Sequence, residues 1–140
     1  MFVNLIELAS GMSIDDFLAE KGVEINENAF IDTTCRYVLA ANALGIIRGV
    51  GGDRFDPDGT FRREQIAAII SRTARALGID TAGYTHPFTD VHAEWLDIEL
   101  GWPVNYGIIR GVSADRFDPS GPLSTEAAIA IAYRALPHLS

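Results

Sequence analysis

Apolar and polar positions along the chain alternate in helical rhythm, broken by glycine and proline. Ile66, Ile69, Ile70, Thr73, Ala74 and Leu77 fall at i, i+3, i+4, i+7, i+8 and i+11, one face of an amphipathic helix that Gly78 ends. Upstream, Tyr37 to Leu44 is a helix-favouring run stopped by Gly45. Ile46 and Ile47 then enter the core as a short extended segment. Gly49, Gly51 and Gly52 let the backbone turn, and Asp56-Pro57-Asp58-Gly59 is a turn in which Pro sets φ and Gly takes a positive one. Further on, Trp95-Leu96 opens another helix that Gly107 stops. Pro103 removes one hydrogen bond there and crowds the Glu99 carbonyl, which predicts a kink or break near Gly101-Trp102-Pro103. Asp118-Pro119-Ser120-Gly121-Pro122 makes a second turn, and Ser124 is an N-cap for a helix from Thr125 to Leu136. Near the start, Ser13-Ile14-Asp15-Asp16 has the spacing of a capping box, opening a helix that ends at Lys21-Gly22.

These elements repeat. Residues 45–57 and 107–119 are identical at eleven of thirteen positions, at a constant offset of 62: Gly-Ile-Ile-Arg-Gly-Val-x-x-Asp-Arg-Phe-Asp-Pro. Each copy opens with Phe-x-Asp, at Phe30-Ile31-Asp32 and Phe88-Thr89-Asp90, and closes with a polar turn and an apolar helical run. A unit of this length is supersecondary structure that buries its apolar face against its neighbours. The pattern predicts one mainly α domain over 1–140, with repeat one at 30–79 and repeat two at 86–137. Residues 1–29 are either a divergent partial third repeat or an unrelated helical arm. Gly22 precedes Phe30 by eight residues and Gly78 precedes Phe88 by ten, which favours the former; the lack of a Gly-Ile-Ile-x-Gly run upstream favours the latter.

Composition narrows the function. A chain of 140 residues with 48% hydrophobic and 21% charged residues has an ordinary globular balance and can bury a real core. Eleven Lys and Arg against nineteen Asp and Glu give a net charge of −8, which argues against binding nucleic acid or an anionic membrane surface. No apolar stretch is long enough to span a bilayer. Cys35 alone makes no internal disulfide, and no Cys/His cluster has zinc spacing. The acidic loop Asp53…Asp56…Asp58-Gly59 lacks the alternating oxygen ligands of a calcium loop, because Phe55 and Pro57 stand where ligands belong. His86, His92 and His138 are scattered, and there is no phosphate loop, nucleophile elbow or zinc-protease motif. We therefore expect neither an enzyme nor a cofactor or metal. Residues 1–7 lack the basic and apolar regions of a signal peptide, so the chain is expected either to be part of a longer protein or to stay inside the cell.

The repeats resemble the S-layer homology (SLH) family, whose pattern runs Phe-x-Asp, a Trp opening helix one, Gly-Ile-x-x-Gly, a Phe-x-Pro turn, and Ile-Thr-Arg-Ala-Glu opening helix two. Copy two matches at Phe88, Asp90, Trp95, Gly107-Ile108-Ile109-Arg110-Gly111, Phe117-Asp118-Pro119 and Leu123-Ser124. Copy one matches at Phe30, Asp32, Gly45-Ile46-Ile47-Arg48-Gly49, Phe55-Asp56-Pro57 and Phe61-Arg62-Arg63. The resemblance implies tandem helix–loop–helix SLH repeats in a pseudo-threefold, spindle-like arrangement. It implies a non-catalytic module of the cell wall or S-layer, binding an acidic, often pyruvylated, cell-wall polysaccharide in grooves between repeats. A Trp, the Arg of helix two and loop glycines would take part. The chain departs from the pattern: the Arg position is Arg63 in copy one, Thr125 in copy two and Ile14 in the N-terminal segment. Gln65 and Ala127 replace the capping Glu, and Thr33 stands at the Trp position of copy one. At most one groove offers both an Arg and a Trp.

The candidate glycan-binding residues are therefore Arg63, Trp95, Arg48, Gly49, Arg110 and Gly111. Arg63 sits at a helix N-terminus, where a cation is mildly unfavourable. That suggests a use such as a bidentate clamp on a ketal carboxylate; the plain alternative is a solvated arginine. Trp95 is either a stacking platform or a core aromatic with its N–H satisfied, and Trp102 is a contact residue only if the helix breaks beside it. Arg48, Arg110 and the recurring Asp53-Arg54 and Asp115-Arg116 pairs fit salt bridges or loop hydrogen bonds within each unit. Phe55 and Phe117 read as core plugs under the loops. The alternative to glycan binding is an SLH-like structural or interaction module that closes uncovered apolar surface by self-association or on a partner protein.

Overall fold

The computed structural model describes residues 2–47 and 61–139 of the protein. It is mainly helical: α1 Phe2–Ser10, α2 Ile14–Lys21, α3 Arg36–Ala43, α4 Arg63–Ala76, α5 Glu94–Asn105 and α6 Thr125–Ala135. A short 3-10 turn, Leu136–His138, follows α6. Two two-residue strands, β1 Phe61–Arg62 and β2 Pro122–Leu123, pair antiparallel with Phe61 opposite Leu123, joining the starts of α4 and α6.

The helix ends show why these residues form these elements. Ser13 Oγ accepts the Asp16 N–H at 3.2 Å, and Ser124 Oγ accepts the Ala127 N–H at 3.1 Å, so both predicted N-caps are in place. At α4, Gln65 Oε1 takes the Arg62 N–H at 2.8 Å, filling the role of the usual Glu. The twin Gly-Ile-Ile runs have the same backbone. Gly45 and Gly107 take φ of 76° and 67°, the left-handed conformation that ends a helix at low steric cost. Ile46 and Ile47 N–H both reach Ala41 O, at 2.9 and 3.3 Å; Ile108 and Ile109 N–H both reach Pro103 O at the same two distances. The acceptors lie 62 residues apart, like the donors. Ile46, Ile108 and Ile109 are buried.

The core is centred on α4. Its stripe Ile66, Ile69, Ile70 and Ala74 is buried together with Leu5 and Ile6 of α1, Ala40 and Ala41 of α3, and Leu96, Leu100 and Trp102 of α5. Each large side chain removed from water this way is worth about 1.5–3 kcal/mol. Phe117 is fully buried as the plug under the second loop; Phe55 lies outside the described residues.

One expectation changes, and one is filled in. The helix does not break at Pro103: α5 runs unbroken through it. A proline costs a helix one N–H and leaves the carbonyl four residues back without its donor. That carbonyl, on Glu99, accepts instead from Ser71 Oγ of α4. A neighbouring helix supplies the missing hydrogen bond, so the chain has no reason to open. Residues 2–7, within the 1–29 segment read as a partial repeat or a helical arm, belong to helix α1. Leu5 and Ile6 are buried, Gly11 ends the helix at φ 72°, and Glu7 Oε2 accepts the Ile14 N–H at 3.0 Å, capping α2. Residues 2–21 are thus a helix pair whose loop is cut to Gly11-Met12-Ser13.

Candidate functional site

The best-defined structure outside the helices is the second-repeat loop, residues 110–121, and it is held from two sides. From its own repeat, Asp90 Oδ1 accepts the Phe117 N–H and Oδ2 the Asp118 N–H, each at 2.8 Å. Asp118 takes a positive φ of 57°, which this double hydrogen bond stabilises. Phe88, two residues earlier, packs on Phe117 with ring centres 5.4 Å apart. Thr89 N–H and Oγ1 both bond Asp115 O, at 2.9 and 3.1 Å. The Phe-x-Asp motif is therefore the clasp of the loop. Burial opposes ionisation of Asp90, but the N–H groups of Phe117 and Asp118, its own N–H and the Arg116 charge outweigh it, and its pKa lies below the ordinary carboxylate value.

From the first repeat comes Arg63. Its backbone N–H bonds Gly121 O at 2.9 Å, and the Glu64 N–H bonds Pro119 O at 3.0 Å, so the loop's turn satisfies two of the orphan N–H groups at the start of α4. The side chain reaches further. Nε donates to Phe117 O at 2.7 Å, Nη2 donates to Arg110 O, and the guanidinium lies over the Phe117 ring at 4.8 Å from its centre. Burial pulls its pKa below the ordinary value, while Asp118 and Asp90 push the other way. Arg63, a cation at a helix N-terminus, has its first use within the protein: one edge of the fork staples copy two's loop to copy one. The opposite edge, through Nη1, bonds no described residue.

The other predicted residues fall as follows. Arg110 is brought to Arg63 through its carbonyl while its side chain is exposed. Gly111 is required by space: a Cβ there would collide with the Phe88 ring and with the carbonyls of Arg116 and Ser113. Trp95 is 44% exposed near the start of α5, as the platform alternative requires and the core alternative does not, whereas Trp102 is 2% exposed and so not a contact residue. The physical reason is the intact helix, which keeps Trp102 against Tyr106, ring centres 5.3 Å apart. Arg48 and Gly49 lie outside the described residues. Arg116 sits with its Nε 3.9 Å from Asp90 Oδ2, and Ser113 Oγ bonds Asp115 Oδ1 at 3.1 Å, so the pair in copy two serves its loop; Asp53-Arg54 of copy one lies outside the described residues.

Sequence reading missed three groups. Asp90 was legible as a motif, since Phe-x-Asp recurs, but its clasp depends on a loop 27 residues away. An ionic cluster on buried Glu99 joins α4 and α5: Arg75 Nη2 to Glu99 Oε1 at 2.6 Å, Arg72 Nε to Glu99 Oε2 at 3.9 Å, and Arg75 Nη1 to Thr81 Oγ1 at 3.1 Å. No spacing rule signals it. His86 Nδ1 accepts the Phe88 N–H at 3.1 Å and its Nε2 lies 2.5 Å from Asp97 Oδ1, which places the ring proton on Nε2. Both bonds orient the segment that carries Phe88 and Asp90.

Among the described residues, no group of three or more His, Cys, Asp or Glu is placed to hold a metal ion, and no helix is long and apolar enough to cross a membrane. Residues 32–67, from the first Phe-x-Asp into α4, match the family model of the S-layer homology domain. No curated protein matches the chain.

Proposed function

We propose that this chain, which carries an S-layer homology domain at residues 32–67 and so the general character of a cell-surface anchoring module, is a non-catalytic binder of an acidic wall polysaccharide. The domain would extend over 1–140, three successive helix pairs forming the repeats of a spindle, with the cell wall or S-layer as its setting. The observation that carries the reading is Arg63. It is partly desolvated, fixed by two carbonyls at the seam between repeats, and its outer edge bonds no described residue. A guanidinium held in that way recognises a carboxylate, such as a pyruvate ketal, at little entropic cost. Arg110 and Gly111 would border the site, and exposed Trp95 would stack on a sugar ring. Arg48 and Gly49 would contribute from the first loop.

A pull-down with purified wall polysaccharide tests this. Wild type is expected to be retained and an Arg63→Ala, Trp95→Ala double variant to be lost; equal retention of both removes the proposal. One observation favours a second reading, association with a protein or a second copy. Ile129 and Tyr133 are 53% and 78% exposed, one turn apart on α6. Light scattering at high concentration decides it: a strict monomer counts against self-association.

A further inference from the structure

Apart from the Arg63 site, four rings gather at the C-terminal end of α5. Tyr84 and Tyr106 are 36% and 43% exposed, meet edge to face with centres 5.7 Å apart, and share a hydrogen bond of 3.1 Å between their hydroxyls. Buried Trp102 backs Tyr106 at 5.3 Å, and exposed His138, from the turn after α6, lies 5.1 Å from it. The cluster is built rather than incidental. Asn105 Nδ2 donates to Thr85 O at 2.6 Å and to Gly101 O at 2.7 Å, tying the Tyr84 segment to α5, while its Oδ1 accepts from no described residue. Gly101 leaves no room for a Cβ against the Tyr84 carbonyl, so that segment lies pressed on the helix.

We infer that this aromatic cluster is a second contact for the glycan, taking a neutral sugar ring; the inference rests on the reading of the chain as a polysaccharide binder. Tyr106 follows Trp95 by eleven residues. At helical geometry that places it about 16 Å along the axis and roughly 20° round from Trp95, on the same flank of α5. A polysaccharide stacked on Trp95 therefore meets the tyrosines as it runs along the helix. The chemistry of the cluster selects the occupant. Aromatic faces suit the C–H face of a pyranose, and the tyrosine hydroxyls and the Asn105 Oδ1 suit its hydroxyls. A purely apolar partner would leave those polar groups unmatched.

Two measurements test the inference. The first is calorimetry of purified wall polysaccharide with wild type and a Tyr84→Ala, Tyr106→Leu variant, whose folding is checked by thermal melting. Binding is expected to weaken about three- to tenfold, the range of one stacked aromatic contact. The second is a nitrogen-resolved NMR titration of wild type with the N-acetylglucosamine tetramer, in which the Tyr84 N–H, the Gly107 N–H and the Asn105 side-chain amide are expected to shift. If wild type binds polysaccharide and the variant binds it equally well, or wild type binds it and the tetramer leaves those signals unmoved, the inference is overturned while the Arg63 site stands. If wild type fails to bind polysaccharide but the tetramer shifts those signals, the anchoring proposal fails and the aromatic site stands.

Discussion

The seam between α4 and α5 and the seam between α2 and α3 use the same chemistry in opposite surroundings. In the first, Glu99 is held by Arg75 and Arg72 with its side chain only 9% exposed, and its backbone carbonyl is closed by Ser71. In the second, Arg36 grips Asp15 through Nε and Nη2, with side chains 59% and 62% exposed. A solvated ion pair trades one set of good partners for another. A buried one becomes costly to disturb, because the survivor cannot return to water. The comparison teaches where the repeats are joined firmly: between repeats one and two, beside the loop that Arg63 and Asp90 hold, and not at the N-terminal pair.

The sharpest way to break this contrast is Glu99→Leu. Leaving Arg75 and Arg72 without their carboxylate should cost about 3 kcal/mol, at the lower end for a buried pair because Arg75 is 41% exposed, read by chemical denaturation. Asp90→Ala comes next. Losing two charge-assisted bonds to backbone N–H groups should cost about 2 kcal/mol and speed amide exchange at Phe117 and Asp118. Because the folded pKa of Asp90 lies below its unfolded value, its contribution is complete above the ordinary carboxylate range and is lost as pH falls through the lowered folded value. Acid should therefore loosen the second loop in wild type, and Asp90→Asn should flatten that pH dependence.

Arg63→Lys should have a smaller effect on stability, about 1 kcal/mol, since the charge stays but the fork bonding two carbonyls is lost. Its larger consequence falls on polysaccharide retention, so the split between the two readouts separates stapling from ligand binding. Smallest of all is Asp15→Ala, at about 0.3 kcal/mol and falling with salt. A cost as large as that of Glu99→Leu would erase the distinction between the seams.

How much of this was readable beforehand differs by feature. The α4 stripe, the glycine stops at Gly45, Gly78 and Gly107 and the caps at Ser13 and Ser124 are local, written in residues a few positions apart. The candidate loop was visible through its duplication, and Arg63 through its awkward place at a helix start. Whether Trp102 was covered was not, because that depended on whether Pro103 broke α5, and the answer lay in Ser71 on another helix.

By itself, then, the sequence determined the helices, their ends and the doubling of the Gly-Ile-Ile unit, since each depends on backbone conformation and periodicity within one or two turns. Tertiary structure alone decided the partners: Asp90 with the Phe117 and Asp118 N–H groups, Arg63 with copy two's carbonyls, Glu99 with two arginines, Tyr84 with Tyr106. Those pairings join residues 22 to 54 positions apart. Hydrogen bonds and ion pairs act only at contact distance, so chain order carries no mark of them until packing brings the helices together.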